Sequence, residues 1–404
     1  MLYLKKMFHR PKKNFNRMRH FAFLLILIFA INCSKSSPTP APTPTPVPTP
    51  TPTTTPAVVP PIDTNSSTAK EIILDMSAGF NLGNTFESNT SNSPTFASVK
   101  PIIDLYYDAG MRHVRIPVTW MQGFPDNIAD GNGLVNTAHP RLQELKLIVD
   151  YALTKKMYVE INTHHEHWLK DFYDGSAAFD DKFKTLWTGI ATFFKDEPKQ
   201  LLFDVLNEPE GKMGQWSGTG YPLPTDPTAI ALTRQIDKVA YDAIRATGGN
   251  NATRVIMVEP NGQGNQGQIS QVFASKANLP GAGTDAYLAI QVHTYDPWAF
   301  CGETGANSAF PGNGTFTTGI QKVATQAAIL DVPVNYGEFG VGRKSGTERN
   351  TDIVRGYYKT MKQTCIANKM SCTAWDDRGW FGLINTSGAT PAFSNNIVPY
   401  MMAQ

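Results

Sequence analysis

Two glutamates stand where a carboxylate is costly unless it does chemistry. Glu208 lies in Leu206-Asn207-Glu208-Pro209 and Glu338 in Gly337-Glu338-Phe339-Gly340, each at the end of an apolar run of strand composition. A charge placed there must be paired or put to use. Two facing carboxyl groups are what hydrolysis of a glycosidic bond requires. One protonates the leaving oxygen and the other stands across the sugar, about 5–5.5 Å away when the anomeric configuration is retained. Other reactive or sugar-compatible groups close similar runs. Asn81 sits in Gly79-Phe80-Asn81-Leu82-Gly83-Asn84, and Arg115 opens Arg115-Ile116-Pro117-Val118-Thr119-Trp120. His164 and His165 fall in Asn162-Thr163-His164-His165-Glu166, His293 and Tyr295 in His293-Thr294-Tyr295, and Trp375 follows an eighth run.

Two patterns point to different chemistry. His164, His165, Glu166 and His167 could suggest a metal, but the His-Glu-x-x-His spacing of a helical zinc site is absent and no metal is expected. Gly262, Gly264 and Gly267 satisfy Gly-x-Gly-x-x-Gly after a strand, yet they come in a fifth unit and lack the first-unit context of a dinucleotide site. A flexible loop rimming a cleft is the better reading.

Residues so far apart in sequence meet only if regular elements carry them to one place. From about residue 71 onward, short β-branched runs alternate eight times with helical stretches. The strand candidates are Phe80–Phe86, His113–Trp120, Tyr158–His165, Leu201–Pro209, Arg254–Asn261, Tyr287–Pro297, Pro333–Gly340 and Ser371–Asp377. In 140–157, Leu142, Leu145, Ile148, Val149 and Ala152 recur with helical period. So do Phe183, Trp187, Ile190 and Phe194 in 180–195. Gly110 and the pair Gly248-Gly249 mark helix ends. The alternation predicts a closed (β/α)8 TIM barrel, with an open doubly wound sheet as runner-up. The barrel is favoured because the unusual residues cluster at strand C-termini, where barrel enzymes build their sites.

Taken in order, Asn-Glu-Pro, His-x-Tyr and Gly-Glu-Phe-Gly on the fourth, sixth and seventh strands resemble glycoside hydrolase family 5, the large cellulase family. The likeness runs from about Ser77 to the end of the chain. It implies that Glu208 is the acid/base and Glu338 the nucleophile of a retaining hydrolase. Arg115 would supply a permanent cation beside Glu338, and Tyr295 a hydrogen bond to it. The resemblance further implies that His164 and His293 position sugar hydroxyls and the carboxylates, and that Asn207 binds the 2-hydroxyl. Trp375 would form the platform under the cleaved sugar. Asn81 and His165 are expected to help bind substrate, while Trp120, Trp298 and Trp380 are candidates for more distant sugar sites. The run Gly-Glu-Phe-Gly-x-x-Arg343-Lys344 is most similar to bacterial endoglucanases, hence a β-1,4-glucan substrate. Mannan, xyloglucan, mixed-linkage glucan and xylan remain alternatives. No cofactor is implied. A surface glycan-binding lipoprotein without catalysis is the competing class, but both glutamates and Arg115, His293 and Tyr295 are present.

The chain's ends bound where this chemistry takes place. Eight Lys or Arg and no acid fall in the first 37 of 404 residues, and the rest carries 28 basic against 34 acidic side chains. The body is thus net negative and has no basic stripe, which argues against a nucleic-acid partner. A basic stretch followed by the short apolar run 21–31 reads as an export signal over residues 1–33. Cys33 stands where a lipid anchor would be attached, although Ala30-Ile31-Asn32 before it is a poor lipobox. Residues 34–67 are rich in Pro and Thr and read as a semi-rigid spacer. Residues 68–404 form the catalytic domain, expected to act as a monomer at the cell surface or outer membrane, or otherwise secreted. Cys301, Cys365 and Cys372 permit one disulfide at most, with Cys365–Cys372 the best-placed pair.

Overall fold

The computed structural model describes residues 68–88, 94–121, 127–218 and 220–404. The expected export segment, Cys33 and the Pro/Thr spacer lie outside the described residues. Eight parallel strands pair in sequence order and close on themselves. They are β1 Ala78–Asn81, β2 His113–Ile116, β3 Tyr158–Asn162, β4 Leu201–Asp204, β5 Ile256–Val258, β6 Leu288–Thr294, β7 Val334–Phe339 and β8 Ser371–Ala374. Closure is made by β8 on β1, with Ala78 opposite Cys372 and Phe80 opposite Ala374. The barrel reading therefore holds over the open sheet.

Most strands stop short of the expected ends, and the physical reason bears on the site. β4 ends at Asp204, not Pro209, and beyond it Glu208 takes a φ of +46°, in the left-handed region through which a strand cannot continue. The polar strand ends are loops that turn their side chains over the barrel mouth.

Helices Phe96–Asp108, Pro140–Thr154, Ala177–Phe193, Pro227–Ala246, Asn313–Leu330 and Asp352–Ala367 cross between strands. Leu142, Leu145, Ile148, Val149 and Ala152 are the buried face of the second of these, as their period predicts. Gly110 at φ +94° and Gly248 at φ +66° follow two helix ends, where the left-handed turn favours glycine. The eightfold alternation fails at one place. Between β5 and β6 there is no long helix, only turns such as Asn261–Gly264 and Ile269–Val272. This segment holds Gly262, Gly264, Gly267, Pro280, Gly281 and Gly283, and four of its glycines have positive φ, which a continuous helix excludes.

The floor of the barrel is sealed from below. Helix Ala69–Met76, capped by Thr68 and Glu71, lays Ala69, Ile72, Ile73 and Met76 against Tyr158, Leu202, Met257 and Ala289. Cys301, Cys365 and Cys372 are buried free thiols, so the anticipated Cys365–Cys372 bridge is not formed. Cys365 instead sits beside Cys372 as a hydrogen-bonded thiol, pushed well above the ordinary range chiefly by burial.

Candidate active site

Above that apolar floor the barrel interior turns polar, and Arg115 on β2 is its centre. Its guanidinium is wholly buried. Nε donates to Glu160 at 2.8 Å; Nη1 donates to Asn81 at 2.9 Å and to Glu338 at 2.8 Å. Nη2 donates to Asn207 at 2.6 Å and to Asp204 at 3.2 Å. All five N–H groups of the side chain are thus engaged, which fixes its plane. One cation cannot neutralise every acid around it. Burial pushes Glu160 up to about 8, and burial with the Asp204 charge raises Glu259 well above the carboxylate range, against the pull of Arg115. Both are held as neutral acids at neutral pH, which removes most of the cost of packing so many carboxyl groups together.

Asn81 belongs to this layer and not to a sugar site. It is 1% exposed, its Nδ2 donates to the carbonyl of Gly337 at 2.8 Å, and its Oδ1 is taken by Arg115. The expectation of a substrate contact is corrected: its amide is spent on joining β1 to β7 and orienting Arg115.

Glu338 on β7 has both carboxyl oxygens held. Oε1 accepts from Arg115 and Oε2 from the Tyr295 hydroxyl at 2.9 Å. Burial, then the Glu338 and Glu208 charges, raise Tyr295 well above its ordinary range, so it stays a donor. The register of β6 on β7 shifts between Val292 and His293, which sets His293 opposite Glu338. Such irregularities re-aim side chains. Gly337 is required here, since a Cβ would lie 2.3 Å from Cδ of Gln291.

Glu208 lies across the mouth in the loop after β4. Its side chain is 24% exposed within this concave mouth, and desolvation pushes it up to about 7; Lys170 pulls down and Glu210 pushes up by smaller amounts. His293 Nδ1 lies 3.0 Å from Glu208 Oε1, and burial holds the imidazole neutral, pushed down to about 4. Ligand-type atoms of Glu208, His293 and Glu338 all lie within 4.8 Å of one another. Asn207 is buried beside Glu208, its N–H donating to Thr163 and its Oδ1 taken by Arg115. What it can offer a hydroxyl is its amide N–H.

Trp375 follows β8, partly exposed, with its ring parallel to that of His164 at 6.2 Å. Gly83 makes room for it: a Cβ there would lie 2.7 Å from the Asp376 carbonyl and 3.0 Å from the Trp375 ring. His164 is buried with Nδ1 3.1 Å from the Asn162 amide, while His165 is exposed and packs edge-on against it at 4.4 Å. Trp298 and Trp380 are 53% and 46% exposed on the loops after β6 and β8. Trp120 differs from expectation: it is fully buried and its indole donates to Asn162, which leaves no face for a sugar.

The decoys resolve locally. Glu166 is buried and accepts from the backbone of Trp120 and Met121 and from the Trp168 indole, so it braces a loop. The glycine run is no loose rim. Gly262 and Gly264 are buried, and a Cβ on Gly264 would lie 2.6 Å from Glu259 Oε2. Sequence reasoning missed Glu160, Asp204, Glu259, Gln291 and Asn335, which support the site from inside the barrel. The available signal was a polar residue within an otherwise apolar strand, as in Tyr158-Val159-Glu160-Ile161-Asn162.

Comparison with known proteins places this geometry among relatives. The family description Cellulase (glycosyl hydrolase family 5) matches residues 75–378. Endoglucanase A of Clostridium longisporum is 30% identical over 356 residues, covering 81% of this chain and 64% of that protein, so the chain spans just under two-thirds of its length. Endoglucanase B of Ruminococcus albus is 30% identical over 337 residues, covering 79% and 76%. A solved structure of ZgEngAGH5_4 in complex with a cellotriose superposes with a TM-score of 0.68 at 26% identity, covering 83% of this chain and 98% of that one.

Proposed function

The chain belongs to the cellulase family, glycosyl hydrolase family 5, and from that premise we propose that it is a retaining, endo-acting hydrolase of β-1,4-glucan, with Glu338 as nucleophile and Glu208 as acid/base. The observation that carries this reading is the unlike setting of two carboxyl groups whose oxygens approach within 4.8 Å. Retaining enzymes hold their pair at about 5–5.5 Å. Glu338 is clamped at both oxygens by a cation and a phenol, whereas Glu208 is held near pH 7 as a proton donor.

The reaction follows from that asymmetry. A Glu338 oxygen attacks the anomeric carbon while the bond to the leaving sugar breaks, and the Glu208 proton passes to the departing oxygen. The Glu208 carboxylate then takes a proton from water, the water oxygen attacks the same carbon, and the bond to Glu338 breaks. Two inversions return the β-anomer. In this reading the side-chain amide N–H of Asn207 serves the 2-hydroxyl, and the Trp375 face a pyranose ring. The names of the relatives and the cellotriose of the solved complex support a β-glucan substrate. A slowly released 2-fluoro-cellobioside should label the peptide holding Glu338. Label on another carboxyl group, or α-anomer as first product, would overturn the assignment. New reducing ends from β-glucans, mannan, xyloglucan and xylan rank the substrates.

The N-terminal pattern supports export and, through Cys33, lipid anchoring at the cell surface. Mass spectrometry of the native N-terminus should find a lipidated Cys33. A lipid-free chain starting well past it removes the anchor.

A further inference from the structure

Beneath the acid/base lies a carboxyl group that the double displacement leaves unused. Glu259 follows β5 and is wholly buried. Its Oε2 accepts the backbone N–H of Glu208 at 2.9 Å. Its Oε1 lies 3.5 Å from Nε2 of His293, whose Nδ1 is 3.0 Å from Glu208 Oε1. Nε2 is buried and has no hydrogen-bond partner among the described residues. Glu208, His293 and Glu259 therefore form a ring that begins and ends on the acid/base.

We propose that Glu259 is a positioning residue of the acid/base: one carboxyl oxygen pins the Glu208 backbone, and the other decides which nitrogen of His293 carries the proton that faces Glu208. The inference rests on the reading of Glu208 as acid/base. The pinning matters because Glu208 sits at a φ of +46°, a region non-glycine residues seldom populate unless their surroundings impose it. Gly264 lets the loop close over the ring, for a Cβ would lie 2.6 Å from Glu259 Oε2 and 3.2 Å from His293 Cγ. Asn265 pairs with the His293 backbone on the same side.

The choice of nitrogen follows from the charges that face the ring. Around Glu259 stand Asp204 on β4, the Gln291 amide donating at 3.1 Å from β6, and Arg115 of β2 with Nη2 3.8 Å away. Around His293 and Glu208 stand Glu338 at 3.9 Å, Arg115, Lys170 and Glu210. Burial and Asp204 keep Glu259 protonated, so it can give an O–H to the unpartnered Nε2. A neutral imidazole has one proton, which must then sit on Nδ1, facing Glu208 Oε1. Oε1 keeps that hydrogen bond in both protonation states of Glu208. Proton exchange with the glycosidic oxygen falls to Oε2, and the carboxylate left behind already has a donor. Glu259 touches no sugar and acts only through its two neighbours.

Nitrogen NMR of the full chain with labelled histidine reads the tautomer directly. The wild-type protein should show His293 protonated at Nδ1, Glu259→Gln should preserve this because its amide can still donate, and Glu259→Leu should lose it. On cello-oligosaccharides Glu259→Leu should lower kcat/KM by about 10- to 100-fold, part of the 10²–10⁴ that general acid catalysis supplies, and displace the alkaline limb of the pH profile. On 2,4-dinitrophenyl cellobioside, whose leaving group needs no proton, the loss should stay under about threefold, and Glu259→Gln should recover most of the activity. An Nε2–H tautomer in the wild-type protein overturns the proposal, whether or not Glu259→Leu folds. So does a loss that is equal on both substrates. Glu208→Ala separates the two readings. If it too fails to spare the activated substrate, the acid/base assignment itself falls; if it spares that substrate while Glu259→Leu does not, only the role of Glu259 falls.

Discussion

Raising the pH should disable the enzyme through one carboxyl group, and the size of the effect follows from where that group sits. Glu208 is pushed up to about 7 by desolvation in the mouth. If it must be protonated to act, the competent fraction of the free enzyme falls from about 90% near pH 6 to about 10% near pH 8, and kcat/KM should fall about tenfold. Initial rates on cellotetraose well below KM give that profile. The limb should respond to the neighbouring charges. Lys170→Met removes a cation that favours the charged form and should move the limb to higher pH, whereas Glu210→Gln removes an anion and should move it lower. With 2,4-dinitrophenyl cellobioside the alkaline loss should disappear, because that leaving group departs unprotonated. Glu208→Ala should cost about 10²–10⁴ on cellotetraose and far less on the activated substrate. A limb near the ordinary glutamate value of 4.5, or an alkaline limb shared by both substrates, would refute the assignment.

Trp375→Ala should reduce kcat/KM by about 30-fold, the equivalent of about 2 kcal/mol for truncating a central aromatic anchor, while the melting temperature changes little because the ring is partly exposed. Unfolding in proportion to lost activity would instead show that the ring serves the core. Stability should fall as the pH rises from 6.5 to 8. Glu87 and Glu166, near 7, and Glu160, near 8, keep protons when folded that the unfolded chain gives up above its ordinary 4.5. Their stabilisation is complete below about 4.5 and is lost as pH climbs through the folded values, whereas His113 and His293, near 4 when folded and ordinarily 6.5, are neutral when folded and shed only the unfolded chain's remaining half proton just above 6.5, a small effect of opposite sign. These three carboxyl groups alone lose about 2–4 kcal/mol over this window, to which Glu208 and Glu259, raised in the same direction, add; urea denaturation reads the loss, and a flat or rising curve would contradict it.

Much of this protein was legible in its residue order. Short β-branched apolar runs ending in polar or aromatic groups announced eight strands whose C-termini face one mouth, and Glu208 and Glu338 were identifiable because a carboxylate at such an end needs a reason to be there. Helical period found the outer layer, and it also hid a gap, since the glycine-rich stretch after β5 carries no long helix. Tertiary structure decided the rest. Buried parallel strands are apolar on both faces, so sequence alone does not say which polar residue points inward. Glu160, Asp204, Glu259, Gln291 and Asn335 passed unnoticed for that reason, and Asn81 and Trp120 were given to the substrate when their neighbours already claim them. Barrel closure brings Arg115 within 2.8 Å of a carboxylate 223 residues away. The same closure buries several acids around one cation, and burial lets Glu160 and Glu259 keep their protons. Local residue types supplied the groups, but the protonation each one holds is set by desolvation and by charges that only the closed barrel brings into contact.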